Sequence, residues 1–345
     1  MKPILRIILA SLVLAVITAG CDIFFEDEFP EAEYYESIEA EDPEDAINIE
    51  PSSEGAMQQA SCPVITGQII ELAVSGGEGV EDLRDEELVI VIYTVEGEEI
   101  FEPVYEDVPA DLQDAQEDAE THQQLWEYFL ALIPMEQRVS IAEYAITTDG
   151  QGGTLASVSQ TTYDPSLWVL HVDIADTADY HELTYTLVHE FAHLLTLGPD
   201  QVTPSLAVFN NPDDNNIYLK EVSACPDYFP GEGCANADSY IDDFYYEFWD
   251  ELREEWDPIN LEEDEDSRTE LVDEFYSRYE DRFVTSYAAT NPEEDIAEAF
   301  TFFVFSPKPA GDTIAEEKIL FFHQYPELVA LRATILNNMC ASFPQ

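Results

Sequence analysis

Apolar and polar positions divide the chain into a part rich in strands and a later part rich in helices. Runs with β-branched residues or alternating polarity predict strands. These runs cover residues 64–74, 88–95, 138–147, 155–160 and 167–174. An amphipathic pattern predicts a helix at 119–132, and helical spacing dominates after residue 181. The pattern therefore predicts an α+β fold with a small mixed sheet and a mainly helical C-terminal half.

Residues 1–20 follow another pattern. A short basic start is followed by an apolar run from Ile7 to Ala19, and then by Gly20 and Cys21. The run is too short for a membrane span, and it ends in small residues before a cysteine. It resembles a bacterial lipoprotein signal, which implies cleavage before Cys21, a lipid on that residue and anchoring to the membrane of the cell envelope. An ordinary secretory peptide or an uncleaved anchor is the alternative, and each of them puts the mature chain outside the cytoplasm.

Residues 21–60 are acidic, with scattered aromatic residues and prolines and no sustained period. This composition predicts a disordered, extended tether. The folded domain is then expected to span 61–345. Within it, we expect the sheet and one long helix in 61–196 and a helical subdomain in 197–345.

The chain is strongly acidic, with 75 Asp and Glu against 12 Lys and Arg and a formal net charge of −63. A surface of this sign repels nucleic acid, which we therefore exclude as a partner. We expect most of the acidic side chains to form a solvated shell. The hydrophobic fraction of 46% is sufficient for a buried core. A monomer is expected.

With Cys21 taken by the lipid, four cysteines remain, an even number that suits disulfides in an oxidising compartment. Cys225 and Cys234 bracket a short segment rich in turn residues, which favours a local disulfide. Cys62 and Cys340 would then tie the start of the folded domain to its end. Four cysteines could also bind a metal ion, but no CxxC pair is present. Disulfides are the better interpretation.

The segment His189–His193 reads HExxH and lies in an apolar run, residues 183–197, with helical spacing. Side chains at positions i and i+4 lie on one helical face, so both imidazoles can bind one zinc ion. Glu190 lies about 100° round the helix from His189, where a carboxylate can take a proton from water. The alternative is a pair of half-buried histidines on an amphipathic helix. The other histidines, at 122, 171, 181 and 323, are expected at the surface or at helix ends.

Signals at element ends support this interpretation. The strand predicted at 166–175 comes shortly before the HExxH helix, the order expected where a sheet edge lies over a substrate cleft. Gly198 and Pro199 end that helix, and Gly198 is expected in the left-handed conformation. A later helix begins with Asn291 as N-cap and Pro292 at its first position.

A zinc site of this kind needs a third protein ligand. Asp200 lies one residue too late for the extended form of the motif, so we reject it. A glutamate on a later helix would give a site with two histidines, one glutamate and water in the fourth position. Glu221 and Glu294 are the candidates.

Glu294 lies three residues after the predicted N-cap, where a glutamate commonly closes a capping box instead. In a chain with 75 acidic residues, one carboxylate carries little weight by itself. Two neighbours favour Glu294: Glu298 lies one turn later on the same face, and Tyr287 lies seven residues before it. One short segment would then supply a ligand, a carboxylate that orients a histidine, and a phenol that stabilises an oxyanion.

The segment HEFAH at 189–193 and the segment YAATNPEEDIAEAF at 287–300 together resemble the catalytic core of lethal-factor-type gluzincin metallopeptidases. They are more similar still to a group of bacterial envelope proteins described as zinc-binding metallopeptidases. Asp295 and Ile296 stand where the toxin has an aromatic pair. This departure leaves the ligands unchanged.

The resemblance implies a zincin-like fold with one Zn²⁺ ion per chain. It implies Glu190 as general base and Tyr287 as the residue that stabilises the transition state. Glu298 is implied as the partner of a metal ligand. The resemblance assigns zinc binding to His189, His193 and Glu294.

Three hypotheses about function follow. The first is a zinc metallopeptidase at the cell envelope that acts on peptide or protein substrates. The second is a catalytically inactive, zincin-like lipoprotein that serves in binding or structure. The third is an amidase that acts on cell-wall peptide, which would use the same chemistry.

Overall fold

The structure is a computed structural model that describes residues 62–75, 82–262 and 264–344, all of which belong to one compact unit. The predicted signal, the lipid site at Cys21 and the tether lie outside the described residues. No helix in the described ranges is long and apolar enough to span a bilayer.

The described chain contains seven strands and twelve α-helices, joined by short 3-10 turns. The strands are β1 (Asp82–Glu96), β2 (Glu99–Tyr105), β3 (Ile141–Gln151), β4 (Ala156–Gln160), β5 (Trp168–Asp173), β6 (Val202–Pro204) and β7 (Gly233–Ala235). The helices are α1 (Pro63–Ser75), α2 (Gln113–Glu117), α3 (Ala119–Leu132), α4 (Tyr180–Leu197), α5 (Leu206–Phe209), α6 (Asn215–Ala224), α7 (Tyr240–Phe248), α8 (Arg253–Asn260), α9 (Glu265–Arg278), α10 (Pro292–Phe305), α11 (Ile314–Phe322) and α12 (Pro326–Ser342). The α+β class predicted from the pattern is confirmed, with strands mostly before helices.

Five strands form one mixed sheet in the order β2-β1-β3-β5-β4. The β3 and β5 strands are parallel, and the other neighbours are antiparallel. The β2 strand was not predicted: Pro103 interrupts its short apolar run, and a proline argues against a strand except at the edge of a sheet. Gly97, with a φ of 66°, allows the tight turn that brings β2 back along β1. The sheet ends at β4, and this outer strand is central to the site described below.

Residues 64–74, predicted as a strand, form helix α1 instead. The β-branched residues of the segment misled the prediction, but Ile65, Ile69 and Ala73 recur at helical spacing. Ile69 is fully buried where α1 packs against α4 and α10. Pro63 at the first helical position suits the start of the helix. Tertiary burial of one helical face therefore outweighs local β propensity.

Gly198 ends α4 as predicted, but not in the left-handed conformation. Its backbone is extended, with a φ of −60° and a ψ of 166°. A Cβ atom at this position would lie 2.5 Å from the carbonyl oxygen of Leu194. Glycine is required here by the close approach of the backbone to the last turn of α4.

Two disulfides form in the pairs that the sequence predicted. Cys62 joins Cys340 across 278 residues and ties the start of α1 to the end of α12. Cys225 joins Cys234 and closes the loop between α6 and β7. A bridge that closes a long loop restricts the unfolded chain most, so the first pair contributes more to stability in this respect.

Helix α10 is fixed by a fully buried ion pair. The ammonium group of Lys318 on α11 lies 2.5 Å from Oδ2 of Asp295, and the indole N–H of Trp249 donates to the same oxygen at 2.7 Å. The Lys318 ammonium also lies 4.1 Å from the ring centroid of Phe283. Asp295 directly follows Glu294, so this pair holds the first turn of α10 against α11.

We predict that Lys318→Met lowers the free energy of unfolding by about 3–5 kcal/mol, because Asp295 is left buried without its cation. The double variant Lys318→Met/Asp295→Asn should recover most of the loss, since it removes both charges. Urea unfolding followed by circular dichroism measures these differences. Lys308→Met, at an exposed position, is the control and should change stability by less than about 0.5 kcal/mol. A loss below about 1 kcal/mol in the single variant would contradict the assignment.

Candidate metal centre

Helices α4 and α10 pack against each other and bring together three residues that the sequence named as ligands. His189 and His193 lie one turn apart on α4 and are 6% and 8% exposed. Their Nε2 atoms are 3.1 Å apart. The Oε2 atom of Glu294 lies 3.0 Å from Nε2 of His189 and 3.4 Å from Nε2 of His193.

These three atoms surround a point that favours positive charge. Two ring nitrogens 3.1 Å apart repel each other unless a proton or a cation lies between them. Burial would raise the pKa of Glu294, but the contacts with His193 and His189 hold it well below its usual range. Zinc ligands at 2.0–2.1 Å from a tetrahedral ion lie about 3.3 Å from one another. The separations of 3.0–3.4 Å therefore fit a shared zinc ion.

Helix α10 begins in the way that the sequence predicted. Asn291 is the N-cap, and its side-chain oxygen accepts the backbone N–H of Glu294 at 2.7 Å. Pro292 occupies the first helical position. The carboxylate of Glu294 is turned to the histidines, so it does not close a capping box.

Glu298 orients the ring of His189. Its Oε1 atom lies 3.0 Å from Nδ1 of His189, and it also accepts the hydroxyl of Tyr185 at 2.8 Å. The hydroxyl of Thr285 donates to Oε2 of Glu298 at 2.5 Å. A proton on Nδ1 of His189 leaves the lone pair of Nε2 free for a metal ion. Nδ1 of His193 is buried and makes no hydrogen bond to any described residue.

Glu190 is buried beside the histidines and close to the outer strand of the sheet. The backbone N–H of Val158 on β4 acts to lower the pKa of its carboxyl group. Burial raises the pKa of Glu190 to about 7, although His189 and His193 act to lower it. A carboxylate oxygen of Glu190 also lies within 4.8 Å of a nitrogen of each ring. Glu294 lies closer to both rings, so its carboxylate is better placed than that of Glu190 to share a metal ion with them.

Tyr287 lies at the mouth of the site, in the turn before α10. Its ring centroid is 5.9 Å from that of His189, and 53% of its surface is exposed. Burial of the hydroxyl end and the charges of Glu294, Glu190 and Glu298 raise the pKa of Tyr287 well above its usual value. The phenol therefore stays protonated at neutral pH and can donate a hydrogen bond.

Glu221, the other candidate ligand, is engaged elsewhere. Its Oε2 atom accepts the hydroxyl of Ser205 at 3.1 Å, and its Oε1 atom pairs with Lys220. In the sequence, only the neighbouring residues Tyr287 and Glu298 distinguish Glu294 from Glu221 as a candidate ligand.

Of the other histidines, His122 is wrongly predicted as a surface or capping residue. It is fully buried, and its ring bonds the hydroxyl of Tyr93 and the carbonyl of Ala115, both at 2.9 Å. His171 on β5 bonds the hydroxyl of Ser159, and burial lowers its pKa to about 4. Both rings are held by neutral groups, which suits a structural role.

The site opens into a cleft of about 350 Å³. One wall is β4, and the floor includes α4 and the start of α10. The opposite wall consists of the loop closed by the Cys225–Cys234 disulfide together with parts of α6, α8 and α9. Residues on this wall include Tyr218, Tyr228, Phe229, Glu232, Trp256 and Arg268. The sequence indicated the disulfide loop but did not indicate that it faces the HExxH segment.

Two carboxylates that line the cleft, Glu232 on this wall and Glu293 at the start of α10, were not predicted. Burial, together with the charge of Glu293, raises the pKa of Glu232 to about 7. Glu293 directly precedes Glu294, and its Oε1 atom accepts the hydroxyl of Tyr228 at 2.6 Å. Nothing in the sequence distinguishes these two glutamates from the other acidic residues.

A second group of acidic side chains lies where β3 and β5 end. Oxygens of Asp149, Asp173 and Asp176 come within 4.8 Å of one another. Several of them accept backbone N–H groups, among them those of Gly152 and Thr154. These hydrogen bonds explain the cluster as the closure of a turn, so the histidine-bearing group is the better candidate for a metal ion.

No protein-family model matches this chain, and the searches of curated proteins and of solved structures likewise return no match.

Proposed function

We propose that this protein is a zinc-dependent metallopeptidase of the gluzincin type, with a zincin-like fold, that acts at the cell envelope. One observation carries the proposal: two imidazole nitrogens and one carboxylate oxygen, from two helices, converge within 3.0–3.4 Å. His189, His193 and Glu294 would hold the ion. A zinc ion bound there would lower the pKa of a water molecule and polarise the substrate carbonyl.

Glu190 is suited to act as general base. Its pKa of about 7 lies close to neutrality, where a carboxyl can both accept and release a proton. The Glu190 carboxylate would take a proton from the attacking water and pass it to the leaving amine. Tyr287 would donate its hydroxyl proton in a hydrogen bond to the oxyanion that develops from the carbonyl.

The cleft is also suited to a peptide. It runs along β4, the outer strand of the sheet, whose free edge can pair with an extended chain. The volume of about 350 Å³ is sufficient for a few side chains. A peptide or protein substrate therefore suits the site better than a nucleic acid, which the acidic surface would repel.

The two disulfides support a location outside the cytoplasm. We propose that the enzyme works there as a monomer, anchored to the membrane by a lipid at Cys21.

The first prediction concerns metal content. The purified protein should contain about one zinc ion per chain, and Glu294→Gln should weaken zinc binding at least about a hundredfold because an anionic ligand is lost. Glu221→Gln, the control at the other candidate position, should bind zinc as the parent does. Competition with a fluorescent chelator measures the affinity. Equal affinity in Glu294→Gln and the parent would remove Glu294 from the ligand set.

The second prediction concerns Glu190. Glu190→Gln should keep its zinc but lose at least about a hundredfold in kcat, since the amide cannot accept the proton from water. Chelator-sensitive cleavage of a generic protein mixture, with zinc content measured on the same samples, tests this. Unchanged kcat would disprove the role of general base. Zinc bound by the parent without chelator-sensitive cleavage would favour the alternative, a catalytically inactive binding or structural lipoprotein.

The third prediction concerns Tyr287. Tyr287→Phe should lower kcat by about 10²–10³-fold and change KM little, because the hydrogen bond forms to the transition state rather than to the bound substrate. Steady-state kinetics on one peptide measures both constants. An effect on KM alone would assign the phenol to substrate binding.

A further inference from the structure

Beside the candidate metal ligands, the cleft has an acidic wall formed by the partly buried side chains of Glu232 and Glu293. The Oε2 atom of Glu232 is buried and has no hydrogen-bond partner among the described residues. The charge of His193 acts on Glu232, as does that of Glu293, so the wall lies close to the metal ligands. Both glutamates line the cleft.

No described side chain forms an ion pair with this wall, although the charge of His193 acts on both carboxylates. Among the described residues, no salt bridge reaches Glu232 or Glu293. Arg268 also lines the cleft, but its guanidinium group contacts Asn260 at 3.5 Å. A buried carboxylate without a cation is costly, and its charged form is stabilised when a cation arrives. The raised pKa of Glu232 is consistent with this missing charge.

Aromatic faces complete the surroundings of the two carboxylates. The ring of Tyr228 stacks on that of Tyr245, with centroids 3.9 Å apart, and its hydroxyl bonds Glu293. Tyr218 packs edge-on against Phe229, and the charges of Glu293 and Glu232 act on its hydroxyl. Carboxylates combined with aromatic rings suit an ammonium or guanidinium group, which gains ion pairs and cation–π contacts together.

We propose that Glu232 and Glu293 form a cation subsite that selects peptides with an ammonium or guanidinium group beside the scissile bond. This inference rests on the peptidase function proposed above. The cation could be a lysine or arginine side chain, or the free amino terminus of the peptide. A side chain would make the protein an endopeptidase with basic preference, and an amino terminus would make it an aminopeptidase.

The test uses the zinc-loaded protein and fluorogenic peptides that differ at the residues flanking the cleaved bond. Arginine is compared with citrulline, its neutral isostere, and each peptide is made with a free and an acetylated amino terminus. We expect kcat/KM to fall at least about tenfold when the relevant cation is removed. Loss on the change to citrulline identifies a side chain, and loss on acetylation identifies the amino terminus. Rates that agree within about twofold across all four peptides would overturn the proposal.

Variants then assign the preference to the wall. Glu232→Gln should reduce the ratio of kcat/KM between the charged and the neutral peptide to below about threefold, and Glu232→Lys should reverse the preference toward a glutamate peptide. Glu254→Gln on α8, an exposed position on the helix that supplies Trp256 to the cleft, is the matched control and should keep the ratio. A ratio unchanged in Glu232→Gln would overturn the assignment. Circular dichroism verifies that the variants fold. If they do not, the rates of the parent protein on the four peptides decide whether the subsite exists.

Binding separates failure of the subsite from failure of the peptidase function. If no peptide is hydrolysed, titration calorimetry measures the affinity of the zinc-loaded parent and of Glu232→Gln for the four peptides. Tighter binding of the charged peptides that is lost in Glu232→Gln would support the subsite while refuting the peptidase. Equal binding of charged and neutral peptides would refute the subsite whether or not hydrolysis is seen.

Discussion

The burial of two imidazole rings and two carboxylates between α4 and α10 is the constraint on which the site depends. Each buried group is matched by a partner: His189 contacts Glu294 and Glu298, and His193 contacts Glu294. Removing one partner would leave the other charge buried without compensation, at a cost of about 3–5 kcal/mol. The same contacts that define the candidate metal centre therefore also fix how the two helices pack.

The sequence indicated this centre because its chemistry depends on short-range spacing. The histidines need only one helix, and the i, i+4 spacing places both rings on one face. Glu294 and Glu298 need only a second helix, whose start is marked by Asn291. The distance between the two segments, 105 residues from His189 to Glu294, carries no such signal. The choice between Glu294 and Glu221 therefore depended on neighbouring residues, and the hydrogen bonds from Tyr185 and Thr285 could not be foreseen.

Features that depend on packing between distant segments were missed for the same reason. The α1 segment has β-branched residues, and its burial against α4 and α10 outweighs their preference for a strand. The cleft wall with Glu232 comes from the loop closed by a disulfide that was predicted from turn residues. A disulfide restricts the shape of its own loop, but it does not indicate which other segments the loop contacts. In a chain with 75 acidic residues, an unpaired glutamate becomes visible only when its surroundings are known.

The small number of cations in this chain connects these observations. Twelve lysines and arginines cannot neutralise 75 carboxylates, so each buried acid must find a cation, a hydrogen-bond donor or a raised pKa. Lys318 forms an ion pair with Asp295. The two histidines contact Glu294, and His189 also contacts Glu298. The Glu232 carboxylate has neither a described cation nor a donor for its buried Oε2 atom, and its pKa is raised. Positive charge from outside the chain would compensate the remaining negative charge. We propose a metal ion beside Glu294 and a cationic group of the substrate beside Glu232.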